Sequence, residues 1–235
     1  MIAETSIQQR RPFLPSNMSV ALFPARTNSC SLLDKFAEQK PVGKASKQKI
    51  RANPRVEEIE KAFKNLLRNL DPDESFLLNG PETVKFAKGL KFTPEEIEEF
   101  SLKLSGCTSE WALQNIGVFL SVLINNSNGR KFTIHTHGAL KPIPYLCYRN
   151  RKEVIVQGDA GLGACTFMAR GKVTINGDVG LWLGDTMDSG KIYVNGNINP
   201  TGFEVGRDDG DKVEIWQNGN PIIQGGKVVS VPENK

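Results

Sequence analysis

Apolar residues recur at intervals of three and four between residues 53 and 126, the spacing that marks one face of an α-helix. Asn53 followed by proline predicts the start of the first helix, because asparagine caps a free backbone amide and proline fits the first turn. Helices this short stabilise each other only by burying their apolar faces together or against a neighbouring domain. The pattern therefore predicts a small helical domain over residues 53–127.

Three further helices are predicted inside this domain, over residues 81–90, 93–106 and 109–124. The helix that follows Thr93 has the clearest start. Thr93 and Glu96 form a capping box, in which each side chain accepts a hydrogen bond from the backbone amide of the other. The apolar stripe of this helix, which we expect to be buried, consists of Ile97, Phe100 and Leu104.

The pattern changes after residue 127, where apolar and polar residues alternate in short runs and the helix signals end. Glycine becomes frequent, and seventeen of the 22 glycines lie in this part of the chain. Gly158, Gly177 and Gly196 are evenly spaced, and each follows an alternating run that ends in Gln or Asn. The unit that they mark, about 19 residues long, is too short for a helical hairpin or a propeller blade, and it fits one coil of a β-solenoid.

The alternating runs predict strands that stack from coil to coil. Two buried columns are expected, one of Val154, Val173 and Ile192 and one of Val156, Ile175 and Val194. Glycines beside the strands are predicted as corner residues, since a sharp turn often needs positive φ; they are Gly158, Gly171, Gly177, Gly190 and Gly196. Weaker copies at 131–140 and 211–219 extend the array to about five coils, as expected of atypical terminal repeats.

The repeat resembles the GXGXG domain, which forms the C-terminal right-handed β-helix of the glutamate synthase large subunit and one of the subunits of formylmethanofuran dehydrogenase. The positions that carry the resemblance are Gly177, Asp178, Gly180, Gly184, Met187, Gly190 and Gly196. The resemblance implies a right-handed β-helix that acts as a scaffold and has no catalytic residues of its own. The chain departs from the family at Asn199-Pro200 and has no counterpart of the glutaminase, flavin or metal-binding regions, so those reactions are not expected.

These observations predict an α+β chain in four segments: a disordered basic arm and linker over 1–52, a helical domain over 53–127, a β-helix over 128–225 and a tail over 226–235. Residues 1–53 hold nine basic and three acidic side chains, whereas the helical part is acidic. A basic arm of this kind can contact nucleic acid, although a solvated arm is the plainer interpretation.

Sequence features also bear on the compartment. The sequence has no apolar run of about 18 residues, so no membrane contact is expected. The four cysteines show no metal-binding spacing, which favours reduced thiols in the cytoplasm. The arginines and serines near the N-terminus leave an organelle-targeting segment as an alternative.

Carboxylates are the first candidates for chemistry. Asp159 and Asp178 are expected to stack about 4.8 Å apart on adjacent coils. With Asp185 and Asp188 they would form a cluster of the kind that β-helix enzymes acting on polyuronides use to hold calcium or as general acid and base. A purely structural corner role is favoured, because Asn197 continues the same column.

Three other groups of residues are candidates for binding. His135 and His137 share a strand face and are weak metal candidates without a matched third ligand, so no cofactor is expected. Cys147 and Cys165 are separated by almost one repeat, and we expect them to be close and buried. Aromatic residues that we expect to be exposed, and to form an interaction face for protein or sugar, are Trp182, Tyr193 and Trp216.

The favoured function is non-enzymatic: a scaffold or assembly module that acts through protein contacts of the β-helix and its helical cap. The contact would be with a protein partner or another copy, because the open ends of a short solenoid invite pairing. Two alternatives stay open. One is a β-helix enzyme that cleaves polysaccharide with stacked carboxylates, and the other is a subunit of a larger complex like those of glutamate synthase or formylmethanofuran dehydrogenase.

Overall fold

The structure is a computed structural model that describes residues 53–72, 76–104, 109–139, 141–199 and 212–232 of the 235-residue chain. The described part begins with the helices α1 Pro54–Asn69, α2 Phe76–Ala87, α3 Pro94–Leu102 and α4 Glu110–Asn126. It continues with one sheet of seven strands, β1 Lys131–His135, β2 Glu153–Gln157, β3 Lys172–Asn176, β4 Gly190–Val194, β5 Val213–Gln217, β6 Asn220–Gln224 and β7 Lys227–Val228. The predicted order of helices followed by a strand-rich solenoid is confirmed. The predicted basic arm lies outside the described residues.

Helices α1 and α3 begin where their capping signals place them. The Asn53 side chain accepts a hydrogen bond from the Arg55 amide at 3.0 Å. The Thr93 hydroxyl accepts from the Glu96 amide at 3.3 Å, and a Glu96 carboxylate oxygen accepts from the Thr93 amide at 2.9 Å. The predicted stripe of α3 is buried as expected, with Ile97, Phe100 and Leu104 all inside the core.

Helix α2 differs from its prediction. It begins at Phe76, five residues before the predicted start at Pro81, so that the proline lies inside the helix. Proline is common at the first helical position, which is why the sequence placed the start there. Inside a helix, proline removes one backbone hydrogen bond, and the packing of α2 against α4 offsets that loss.

Five parallel strands form the core of the solenoid, and each pairs with the next in the chain. The register stacks Val154 on Val173 on Ile192, as the sequence predicts, and these side chains are fully buried. Parallel bridges from Ile143 through Ala160 and Val179 to Ile198 form a second stacked column. The result is a parallel β-solenoid of about three turns.

Each coil consists of one strand and the segment that returns to the next strand, so the first, second and third coils begin at β1, β2 and β3. The return segments share an unusual backbone conformation. Alternate residues take φ between 50° and 67° at matching positions of the first three coils; they are Tyr145, Cys147, Arg149, Gly163, Cys165, Phe167, Trp182, Gly184 and Thr186. Hydrogen bonds between coils hold these segments in register, for example from the Cys165 amide to the Leu146 carbonyl at 2.8 Å. Left-handed conformations are rare for bulky residues, so these segments are a distinctive part of the fold.

Helices α3 and α4 cover the end of the first coil. The His135 amide of β1 donates to the Ser101 hydroxyl of α3 at 3.0 Å, and the Tyr148 amide donates to the Ser121 hydroxyl of α4 at 3.0 Å. Asn125 of α4 accepts from the Arg151 amide at 3.1 Å. These side chains satisfy backbone groups that an open edge would leave unpaired, so this end is not the exposed edge considered above.

The other end of the solenoid is folded back on itself. Strand β6 pairs antiparallel with β5, and β7 pairs antiparallel with β6. The outermost strand is two residues long and contains Lys227, features that discourage pairing with another edge.

Within the described residues, none of the helices has the length and hydrophobicity needed to cross a membrane.

Candidate functional site

The corner glycines fall into two groups. Gly158, Gly171 and Gly190 have φ of 118°, 101° and 115°, so they fit the expectation of positive φ. Gly177 and Gly196 are needed for a different reason, which is close packing. A Cβ at Gly177 would lie 2.5 Å from the Gly158 carbonyl group, and a Cβ at Gly196 would lie 2.3 Å from the Gly177 carbonyl oxygen.

The two stacked aspartates bind the backbone of the next coil. The Asp178 amide donates to Asp159 Oδ1 at 2.8 Å, and the Asn197 amide donates to Asp178 Oδ1 at 2.7 Å. One oxygen of each carboxylate is therefore engaged in a ladder that runs along the solenoid. This arrangement favours the structural corner role over a general acid and base pair.

Asp185 occupies a different part of the coil, the return segment that follows β3. Burial, and to a smaller extent the negative charge of Asp185, raises the pKa of the Tyr145 hydroxyl. The Tyr145 ring rests against Gly163, where a Cβ would lie 2.5 Å from a ring carbon. That Asp185 forms one groove with the stacked aspartates stays a prediction.

The two histidines lie at the end of β1. His135 Nε2 is 2.9 Å from Glu98 Oε1 of α3, whereas His137 is exposed beside the Gly158 corner. Among the described residues, no group of three or more His, Cys, Asp or Glu side chains is arranged to hold a metal ion. His135 is thus part of the contact between the helices and the first coil.

The outer side of the sheet, which we call the strand side, is covered by side-chain ladders. The side-chain amide of Asn176 donates to Gln157 Oε1 at 3.1 Å, and the side-chain amide of Asn195 donates to Asn176 Oδ1 at 2.8 Å. Tyr193 and Trp216 stack with ring centroids 6.3 Å apart. The strand side therefore uses most of its polar and aromatic groups to join one coil to the next.

Charged residues on the strand side continue this pattern. Lys172 Nζ lies 5.0 Å from the centre of the Tyr193 ring, on which it makes a cation–π contact. Lys191 Nζ bonds Glu214 at 2.9 Å. That hydrogen bond lowers the pKa of the Glu214 carboxyl and raises the pKa of Lys191.

The cysteine pair lies inside the return segments. Cys147 and Cys165 are in register on adjacent coils and both are buried, as the sequence predicts. The hydrogen bond between Cys165 and the neighbouring Cys147 thiol, together with burial, raises the pKa of Cys165 well above its ordinary value. Since the thiolate is the reactive form, the raised pKa favours an unreactive core role for Cys165, and Cys147 is buried beside it.

The exposed side of the return segments, which we call the loop face, presents aromatic side chains to water. It consists of two columns of residues, Tyr145 and Trp182 on either side of Gly163, and Arg149, Phe167 and Thr186, of which Tyr145 and Thr186 are half-buried. Trp182 is 42% exposed and Phe167 is 40% exposed. The Arg149 guanidinium lies 5.9 Å from the Phe167 ring centre, so the two residues form one aromatic and cationic patch.

The exposed residues of the loop face share the left-handed backbone of the return segments. Trp182, Phe167 and Arg149 have φ of 61°, 55° and 52°. A left-handed conformation costs a non-glycine residue about 1–2 kcal/mol, whereas glycine adopts it freely. Gly163 occupies the position of the second coil that is equivalent to Trp182, which shows that glycine fits there. Side chains kept at a cost on a surface are candidates for function.

The sequence had indicated Trp182 but not Phe167 or Arg149. The repeat could have placed these residues in one column, since Phe167 lies almost one repeat after Arg149 and one repeat before Thr186. Comparisons of the chain with protein families, with curated proteins and with solved structures found no match. The resemblance to the GXGXG domain therefore stays a prediction.

Proposed function

We propose that this protein is a non-catalytic assembly module, which presents the loop face of a helix-capped β-solenoid to a protein partner. The observation that carries this proposal is the pair of large aromatic side chains, Phe167 and Trp182, that leave about two fifths of their surface in water. Aromatic residues and arginine dominate the binding energy of protein interfaces, and Arg149 accompanies them here.

The rest of the molecule supports a contact through this face. Helices α3 and α4 cover one end of the solenoid, and strands β6 and β7 fold back over the other. The ladders of the strand side bind their groups to one another. A partner that binds the loop face does not need to break any of these hydrogen bonds.

We further propose the finer architecture that the sequence predicts. The five parallel strands would mark five coils of a GXGXG-like β-helix, and the right-handed sense of its crossovers follows from the strong preference of parallel strand connections. The sparse cysteines support a reducing, cytosol-like compartment as part of this proposal. These statements rest on pattern and on general rules.

The experiment is affinity capture of the full-length protein from its native source, followed by quantitative mass spectrometry. The bait variants are the wild type, Phe167→Ala with Trp182→Ala, and Phe86→Ala. Phe86 is a matched control, because it is a phenylalanine of the helical cap with 38% exposure. We expect one abundant partner, either another protein or a differently tagged copy of the chain, that the double variant loses and the control keeps.

The enzyme alternative has its own outcome in this design. Polyuronide cleavage by the wild type that disappears in Asp178→Asn would replace the assembly proposal with the enzymatic one. A partner list that is identical for all three baits would contradict the proposal directly.

A further inference from the structure

We propose that the partner of the loop face is a second copy of the chain, packed with its solenoid antiparallel so that the second coils of the two molecules meet. This inference rests on the proposed function and names its partner. It is drawn from the order of charges and aromatic groups along the solenoid, which makes the loop face complementary to itself.

The charges form a gradient from the first coil to the third. Arg149 of the loop face and Arg151 at its edge are exposed on the first coil, and Arg170 is exposed on the second. Asp188 is exposed on the third coil, and Asp185 is half-buried there. Asp188 bonds the second coil through its amide, which donates to the Met168 carbonyl at 2.9 Å, so its position in the stack is fixed.

A two-fold axis relates the two ends of this gradient. If the axis runs along the second coil, in the plane of the contact, it brings the first coil of one molecule opposite the third coil of the other. Arg151 then faces Asp188 of the second copy, and Arg149 faces the segment that contains Asp185. Two equivalent sets of opposite charges form at once, as an isologous interface requires.

The aromatic groups follow the same symmetry. Phe167 lies on the second coil and therefore meets its own counterpart at the axis. Tyr145 of the first coil shares a column with Trp182 of the third, so each tyrosine faces a tryptophan of the other molecule. Gly163 separates these two residues within a column and has no side chain that would hold the faces apart.

The size of the patch sets the strength of the contact. Three coils at a spacing of about 4.8 Å make a face about 14 Å tall. A face of this size is smaller than a standard interface, which buries about 800 Å² on each partner. We therefore expect a dissociation constant on the order of 10–100 μM, characteristic of a reversible dimer.

The test is a charge exchange measured by sedimentation velocity on the full chain, from about 5 to about 500 μM. Arg151→Asp alone and Asp188→Arg alone should each weaken the dimer by about tenfold, because each places like charges opposite each other. The combined variant restores opposite charges across the axis and should recover most of the wild-type affinity. Arg151 and Asp188 lie two coils, or about 9.6 Å, apart within one molecule, so the recovery reports the contact between molecules.

Three outcomes separate this inference from the proposed function. A dimer that the single variants weaken and the combined variant restores supports both. A wild type that stays monomeric at the highest concentration, but that loses a captured protein when Phe167 and Trp182 are replaced, overturns the inference and keeps the assembly module. A dimer that none of these charges affects, together with a partner list that the aromatic variants leave unchanged, overturns both.

Discussion

The strand side and the loop face belong to the same coils, yet they treat their side chains in opposite ways. On the strand side, amides, carboxylates and aromatic rings bond to their equivalents one coil away, as Asp178 does to the Asn197 amide. On the loop face, backbone hydrogen bonds join the coils, the Arg149 guanidinium rests against the Phe167 ring, and Phe167 and Trp182 extend into water. Repeated residues such as Asp159 and Asp178 therefore hold the coils together, whereas the proposed contact residues Phe167 and Trp182 lie in columns where the residue type changes from coil to coil.

The largest loss of stability is expected at Gly177, a corner glycine with no space for a side chain. Gly177→Ala would place a Cβ 2.5 Å from the Gly158 backbone, which cannot move without disturbing the ladder. We expect the free energy of unfolding to fall by about 3 kcal/mol, as in overpacked cores. Urea unfolding followed by circular dichroism measures the change.

Gly89→Ala is the matched control, because nothing lies within 4 Å of a Cβ at that position. Its effect should stay within about 1 kcal/mol. Equal losses from the two variants would mean that close packing at the corners does not limit the stability of the solenoid.

A smaller effect is expected for the aspartate ladder. Asp178→Ala removes the acceptor of the Asn197 amide and should lower the free energy of unfolding by about 1 kcal/mol, whereas Asp178→Asn keeps an oxygen acceptor and should lose less. Asp188→Ala, at the edge of the loop face, should change the free energy of unfolding by no more than about 0.5 kcal/mol at protein concentrations too low for dimerisation. A larger loss at Asp188 than at Asp178 would reverse the comparison between the two sides.

The smallest effect concerns the pH dependence of the Lys191–Glu214 pair. The pKa of Glu214 is lowered in the folded protein, so this carboxylate contributes stability above its ordinary pKa, and the contribution is lost as the pH falls through the lowered value. The melting temperature of Glu214→Gln should therefore lie slightly below that of the wild type at about pH 7 and approach it at about pH 3. A difference that grows on acidification would contradict this assignment.

Much of the fold could be predicted because its signals are local or periodic. Asn53 and Thr93 cap their helices with the bonds that their side chains dictate. The repeat interval placed the valine and isoleucine columns in register, since each coil must bury the same side chains as its neighbours. The predicted start of α2 at Pro81 was wrong. Proline is favourable at the first helical position, but the helix begins at Phe76 and packs against α4.

The candidate site was less predictable, for a physical reason. Tyr193 and Trp216 were expected to serve as an interaction face, and they stack on each other, which no single-coil pattern reveals. Phe167 and Arg149 belong to segments whose left-handed backbone has no common sequence signature, since glycine is the residue that normally marks it. The capping of the first coil by Ser101 and Ser121 depends on tertiary contacts between distant parts of the chain.

Photochemical crosslinking from the loop face shows whether this face is the contact surface of the protein, whichever molecule the partner is. A photoreactive phenylalanine analogue replaces Phe167 in one sample and Phe86 in another, and both are irradiated in extract of the native source. The account predicts a defined crosslinked product from position 167 and little or none from position 86, although the two side chains are exposed to a similar extent. Position 167 yielding only uncrosslinked monomer, or both positions yielding the same products, would contradict the claim that the loop face is the contact surface of this protein.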